Sequence, residues 1–242
     1  MKTTFFATCV LTISSVWLTS GAIAKEPGKL IFSDDFERNE SQELKDEVGN
    51  GWKTNSASRA GGNKQVDLKD GAMRIYIHET ADHGVSVTHP AEFCDGRVEI
   101  KFMLEHEKDS LGLNFADQQY KKVWAGHLFK VIIGVKQTEL ADLKTGVMDL
   151  KIREARKTKT VTAAQQKMLK TKSKRIPHKL EKGKWYTAVA KIVGDKLSVS
   201  IDGKEVGSFS SEGIAHPTKR MLRLAIHRNV VVDDLKIYSM AD

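Results

Sequence analysis

Two cysteines among 242 residues leave almost nothing to oxidise. Cys9 lies in an N-terminal apolar run, so Cys94 stands alone in the rest of the chain and no internal disulfide is expected. Stability has to come from a buried core, which a chain of this length can supply without covalent staples. Cys94 follows Phe93 and has no local partner motif, so it reads as a small buried apolar residue rather than a nucleophile. Long hydrophobic runs are equally scarce. Phe5 to Leu18 falls short of the roughly 20 residues that a membrane-crossing helix needs, and no later segment supplies another. The eight histidines are scattered without the H-x-x-x-H spacing that sets two ligands on one helix face, so a metal site from His78 and His83 has little support. No internal repeat is evident.

The N-terminus carries Lys2, the Phe5 to Leu18 run and the small-x-small end Ala22-Ile23-Ala24. These are the three parts of a secretory signal peptide, expected over residues 1–24, with one mature domain over 25–242. The mature protein is then secreted or periplasmic. No cysteine follows the run to carry a lipid anchor.

Beyond residue 25 the apolar residues alternate with period two in short runs separated by Gly, Asp and Asn. "MRIYIHE" sets Met73, Ile75 and Ile77 on one face and Arg74, Tyr76 and His78 on the other. "RVEIKFML", "LGLNFAD", "HLFKVIIGV", "WYTAVAKIV", "KLSVSID" and "VDDLKIYS" repeat the pattern. Many short strands at close spacing imply an all-β antiparallel sandwich or barrel. Asp70-Gly71 and Asp202-Gly203 mark tight hairpin turns, where positive φ is required at little cost.

The stretch "GKWYTAVAKIVGDKLSVSIDGKEVGSF" reads as strand, turn, strand, turn, strand. With "LIFSDDFE" before it and "VVVDDLKIYS" at the end, it resembles the concanavalin A-like lectin/glucanase superfamily, whose members carry a G-x-W-Y strand, an x-D-G-K/R hairpin and a final D-x-h-x-h strand. Within that superfamily it looks most like laminin-G-like and 3-keto-disaccharide-hydrolase-type domains of secreted bacterial proteins. The resemblance covers nearly all of Lys29 to Ser239 and implies a two-sheet jelly roll with a concave face that holds sugars in relatives. Glycoside hydrolase family 16 members carry E-x-D-x-E or E-x-D-x-x-E on one strand, which aims an attacking and a proton-donating carboxylate to the same side. That arrangement is missing. Glu99 and Glu105 have no Asp between them, and "ELADLK" has no second Glu.

Polar residues on strand faces are the candidate ligand-binding set: Arg74, Tyr76, His78, Asn114, Lys130, Arg223 and His227. If their faces converge they form a cationic, hydrogen-bonding cleft suited to hydroxyls or an anionic sugar; if not, they are ordinary solvated positions. Asp34, Asp35, Asp233 and Asp234 form an acidic set, because the terminal strands of such sandwiches pair as neighbours. Four clustered carboxylates suit calcium, or else they cap two turns.

Residues 151–179 hold eleven Lys or Arg against the single acid Glu154. The formal net charge of the whole chain is +8, so everything outside this segment sums to −2. Thr162-Ala163-Ala164-Gln165 matches a capping box, so one short helix is expected from Ala163 to about Lys172, inside a basic insertion over residues 151–182 that Pro177 ends. Lys167, Lys170, Lys172, Lys174 and Arg175 form the expected polyanion patch, or a solvated face that aids solubility. No aromatic residue interrupts the basic run to stack on bases, which argues against specific nucleic-acid recognition. Three functions stay open: a secreted monomeric glycan-binding module favouring sulfated or uronic-acid polysaccharides, a glycan-cleaving hydrolase or lyase with His78, His227 or Lys130 moving protons, and a structural envelope protein.

Overall fold

A computed structural model describes residues 28–240. The signal peptide expected over 1–24 lies outside them. The strands in chain order are β1 (Lys29–Asp34), β2 (Lys53–Thr54), β3 (Val66–Lys69), β4 (Ala72–Tyr76), β5 (Val85–Phe93), β6 (Gly96–Met103) and β7 (Ser110–Ala116). They continue as β8 (His127–Gly134), β9 (Gln137–Asp142), β10 (Ser173–Pro177), β11 (Trp185–Val193), β12 (Lys196–Ile201), β13 (Lys204–Ser210), β14 (Lys219–Ile226) and β15 (Asn229–Ser239). The helices are α1 (Ser56–Arg59), α2 (Leu150–Lys157) and α3 (Ala163–Lys170), with a 3-10 turn at Trp124–Gly126.

Two antiparallel sheets face each other. The first runs β13-β12-β11-β6-β15-β4-β3 with β1 added against β15, and the second runs β10-β9-β8-β7-β14-β5-β2. Period-two alternation does the folding: in β6, Val98, Ile100 and Phe102 are fully buried while Arg97, Glu99 and Lys101 face out. The inward sets of both sheets, such as Phe115, Phe129, Leu222 and Leu224 against Val98, Ile100 and Ile237, form one core. Burying each such side chain stabilises by roughly 1.5–3 kcal/mol. Both expected hairpins are present, with positive φ at Asp70 and Gly71 (56° and 69°) and at Asp202 and Gly203 (47° and 75°), the geometry that matches strand twist.

Three expectations need correction. Cys94 is exposed, not buried, because Phe93 takes the inward position at the end of β5 and its neighbour begins the turn to β6. The basic segment holds two helices rather than one. The capping box at Thr162 and Gln165 starts α3, but α2 precedes it, capped by Asp149, whose Oδ1 accepts from the amides of Lys151 and Ile152 at 2.9 and 3.0 Å. The segment also ends differently: residues 173–177 form β10, the edge strand of the second sheet, paired with β9. Pro177 closes that strand, and an edge tolerates the missing amide.

The terminal strands do pair, with Asp34 opposite Leu235. Asp34 is buried and fully engaged. Arg38 donates to both its oxygens at 2.6 and 3.0 Å, Asn50 and Trp52 Nε1 donate at 3.0 and 2.7 Å, and the Phe36 amide adds 2.9 Å. Burial raises its pKa, yet these donors outweigh burial and hold it below the usual range. Asp35 accepts from the Glu37 amide. Asp233 and Asp234 both pair with Lys101. Arg38 thus pairs with Asp34, and Lys101 with Asp233 and Asp234, two cations against four carboxylates, and among the described residues no group of three or more His, Cys, Asp or Glu stands placed for a metal.

Candidate functional site

The outward face of the second sheet floors a groove of about 410 Å³. Register explains how its floor forms: Arg223 on β14 lies opposite Asn114 on β7, and Asn114 lies opposite Lys130 on β8. Three polar side chains from three neighbouring strands thus stand in a row. His227, just past β14, lines one end. It is held close by Gly84, where an added Cβ would come within 2.9 Å of His227 Nδ1. Asn55, Arg59 and His83 complete that wall. Asn55 fixes it by donating to Gly84 O at 3.0 Å and accepting from the Ser86 amide at 2.9 Å.

The opposite wall carries Trp124, Ala125, Val147 and Met148. Trp124 is 51% exposed, unusual for the largest apolar side chain. Its turn is strained, with φ of 49° at Ala125 and 70° at Gly126. A Cβ on Gly126 would meet Asp117 O at 2.5 Å, so only glycine fits there. The Trp124 amide donates to Met148 O at 2.8 Å and the Leu150 amide to Lys122 O at 3.2 Å, which stitches the turn to the start of α2.

At the centre, His127 lies between Asn114 Oδ1 at 3.0 Å and the Arg223 guanidinium, 2.9 Å from Nε2. Arg223 Nη1 lies 3.0 Å from Nδ1 as well, so the guanidinium sits against the ring as a whole and opposes a second positive charge there. Burial, then the charges of Arg223, Arg153, His83 and Lys130, push the His127 pKa down to about 4. Burial likewise lowers His227, helped by Lys130 and His83. Lys130 is paired with Glu139 at 2.9 Å, and Glu139 also takes Arg175 at 3.1 Å. Arg59 faces Asp82 at 3.4 Å on the exposed rim. Arg223 has no carboxylate within ion-pair distance among the described residues, and no Asp or Glu lines the groove.

Four of the seven expected ligand-binding residues, Asn114, Lys130, Arg223 and His227, therefore meet in one groove. The other three do not join them. Arg74 and Tyr76 are on β4 of the opposite sheet, where Arg74 pairs with Glu105 at 3.2 Å. His78 follows that strand and turns its ring to Thr80 Oγ1 at 2.8 Å. The expected polyanion patch is also divided. Lys172 pairs with Asp142 and Glu212, Arg175 with Glu139, and Lys174 donates to Ser208 O, while Lys167 and Lys170 are exposed on α3, outside the groove lining. His127 and Trp124 complete the site without having been anticipated.

No protein-family model matches the chain, and no curated protein matches it by sequence. Solved structures do. The carbohydrate-binding module CBM66 from Bacillus subtilis superposes with TM-score 0.51 at 11% identity, over 78% of this chain and 96% of that one. A non-specific endo-β-1,3(4)-glucanase of family GH16 gives 0.56 at 12%, over 90% and 93%. A GlcNAcα1-4Gal-releasing endo-β-galactosidase from Clostridium perfringens gives 0.56 at 11%, over 89% of this chain and 64% of that longer one. The chain has the concanavalin A-like jelly-roll fold. At such identities the likeness is one of fold, and function has to be read from the groove. Paired-carboxylate glycoside hydrolysis needs two acids flanking the bond, roughly 5–9.5 Å apart. Among the described residues, no such acid lines this groove.

Proposed function

We propose that the chain is a secreted, monomeric glycan-binding β-sandwich whose groove takes an acidic sugar. Arg223 carries the reading: a guanidinium half-buried on a groove floor with no carboxylate partner among the described residues, in a lining that draws no acid from them. A carboxylate or sulfate of the ligand supplies the missing charge in the planar, bidentate geometry that arginine favours. Asn114, Lys130 and His227 are set to hydrogen-bond hydroxyls, and Trp124 offers an exposed aromatic wall for the apolar face of a sugar ring. The shared fold with a carbohydrate-binding module and with glucanases supports a glycan as the ligand class.

The test is a glycan array followed by calorimetry, with polygalacturonate and sulfated galactans set against neutral laminarin. Acidic glycans should bind, and Arg223→Ala should weaken them by about tenfold or more, the cost of losing a desolvated charged anchor. Preference for neutral glycans, or indifference to Arg223→Ala, overturns the reading. Cleavage remains the second reading, because a neutral imidazole, His127, stands inside the groove beside Arg223. New reducing ends or unsaturated products that vanish with His127→Gln would establish it. With neither binding nor cleavage, a structural envelope role is left.

A further inference from the structure

The groove does not end at Trp124. Trp124 also lines a second hollow of about 500 Å³, together with Leu150, Arg153, Glu154, Arg156 and Lys157. Its walls are of the same kind as the groove's: exposed apolar surface, with Leu150 42% and Trp124 51% exposed, beside cations. The Arg153 guanidinium lies over the Trp124 ring at 4.2 Å. Among the described residues no carboxylate lies within ion-pair distance of Arg153, Arg156 or Lys157, and Glu154 is the single acid against three cations.

The two hollows are held in fixed relation. The Val123 to Asp149 bridge, the Trp124 to Met148 and Leu150 to Lys122 hydrogen bonds, and the Asp149 cap tie the indole and α2 into one unit, which the buried Ile152 anchors. The Arg153 charge reaches the groove, since it contributes to holding His127 neutral.

We propose that this hollow is a second subsite, taking the next anionic unit of the same oligosaccharide, so that Trp124 is the wall between two charged sugar positions. The proposal rests on the groove as an acidic-sugar site. Its consequence is length discrimination. A monosaccharide fills the groove alone, whereas an oligomer engages both hollows, and the second engagement is intramolecular. Because the spacing is preset, little ordering is needed to make it.

The experiment titrates galacturonate, glucuronate and galactose 6-sulfate, then oligomers of two to six units of whichever monosaccharide binds in an Arg223-dependent way. Titrations use the wild type and the double variant Arg156→Ala/Lys157→Ala, whose exposed positions leave folding intact, as thermal unfolding will verify. Wild-type affinity should rise about tenfold or more from monomer to the longer oligomers. The double variant should lose most of that rise while its monosaccharide affinity stays within about threefold, since Arg156 and Lys157 line the second hollow and not the groove. If oligomers gain nothing, or gain equally in the double variant, the second subsite is refuted while the groove stands. If no acidic monosaccharide or oligomer binds at all, the groove reading falls and takes the subsite with it.

Discussion

His127 gives the sharpest quantitative test of the groove's electrostatics. Its folded pKa is about 4, against an unfolded value of about 6.5. Between those values the unfolded chain binds a proton that the folded chain refuses, so stability rises with pH across this window and is lost as pH falls through it. Integrating the two titrations from about pH 7.5 to about pH 5 gives a loss of about 2 kcal/mol from this one side chain. For a chain of this size that is a fall in unfolding midpoint of roughly 4–8 °C. Burial lowers other histidines too, among them His89, His178, His216 and His227, and each steepens the acid limb in the same direction. The wild-type curve alone cannot apportion the effect. The comparison with His127→Gln can, because Gln keeps an acceptor for Arg223 and never titrates. Thermal unfolding of both proteins across that range should show the wild type losing about 2 kcal/mol more than the variant. Parallel curves would mean that His127 accepts its proton in the folded state without penalty, and the picture of a neutral imidazole wedged against Arg223 would be wrong.

Trp124→Ala should weaken an acidic glycan by about tenfold while barely moving the unfolding midpoint, because an exposed anchor serves the ligand and not the core; calorimetry and thermal scans decide this together. Asp34→Ala should destabilise by about 3–5 kcal/mol, since it strands the Arg38 charge and leaves Trp52 Nε1 without its acceptor, and a chemical denaturation curve measures it. Adding calcium or a chelator should leave the midpoint unchanged, because Arg38 already pairs with Asp34 and Lys101 with both Asp233 and Asp234; a rise with calcium that Asp234→Asn abolishes would place a metal there. Reversing Lys167 and Lys170 to Glu should cost less affinity for polyuronates than Arg223→Ala, as both lie outside the groove lining.

The sandwich was legible because its signal is repeated: each strand restates the inward set, and the Asp-Gly turns mark where each hairpin reverses. Half of the groove was legible for the same reason. Period two puts Asn114, Lys130 and Arg223 on polar faces, but it says nothing about which sheet a face belongs to, so it cannot separate them from Arg74 and Tyr76, which lie on the other one. His127 escaped because alternation fails at that point. Leu128 and Phe129 are both buried, and the ladder between β7 and β8 slips between Phe115 and Ala116, so His127 faces out at a position that counting back from Lys130 assigns inward. The adjacent pair Leu128-Phe129 was the one trace of that bulge in the sequence. Trp124 sits in a turn, where periodicity carries no information.

The basic segment shows why a count of charges is a poor map of a binding surface. Its ten-charge excess reads as one patch, yet the fold brings acids distant in sequence to part of it: Glu139 to Arg175, and Asp142 with Glu212 to Lys172. A paired surface cation attracts a ligand less, because displacing its partner offsets what the ligand gains. Glu139 makes the point within a single contact set, since it also neutralises Lys130 on the groove floor. Removing that carboxylate frees two cations at once, one in the groove and one beside it. Glu139→Gln should therefore tighten binding to an acidic glycan and steepen its salt dependence, opposite in sign to Arg223→Ala. Binding measured across a salt series, with affinity unchanged or weaker in Glu139→Gln, would show that Lys130 is not part of the ligand's charge environment.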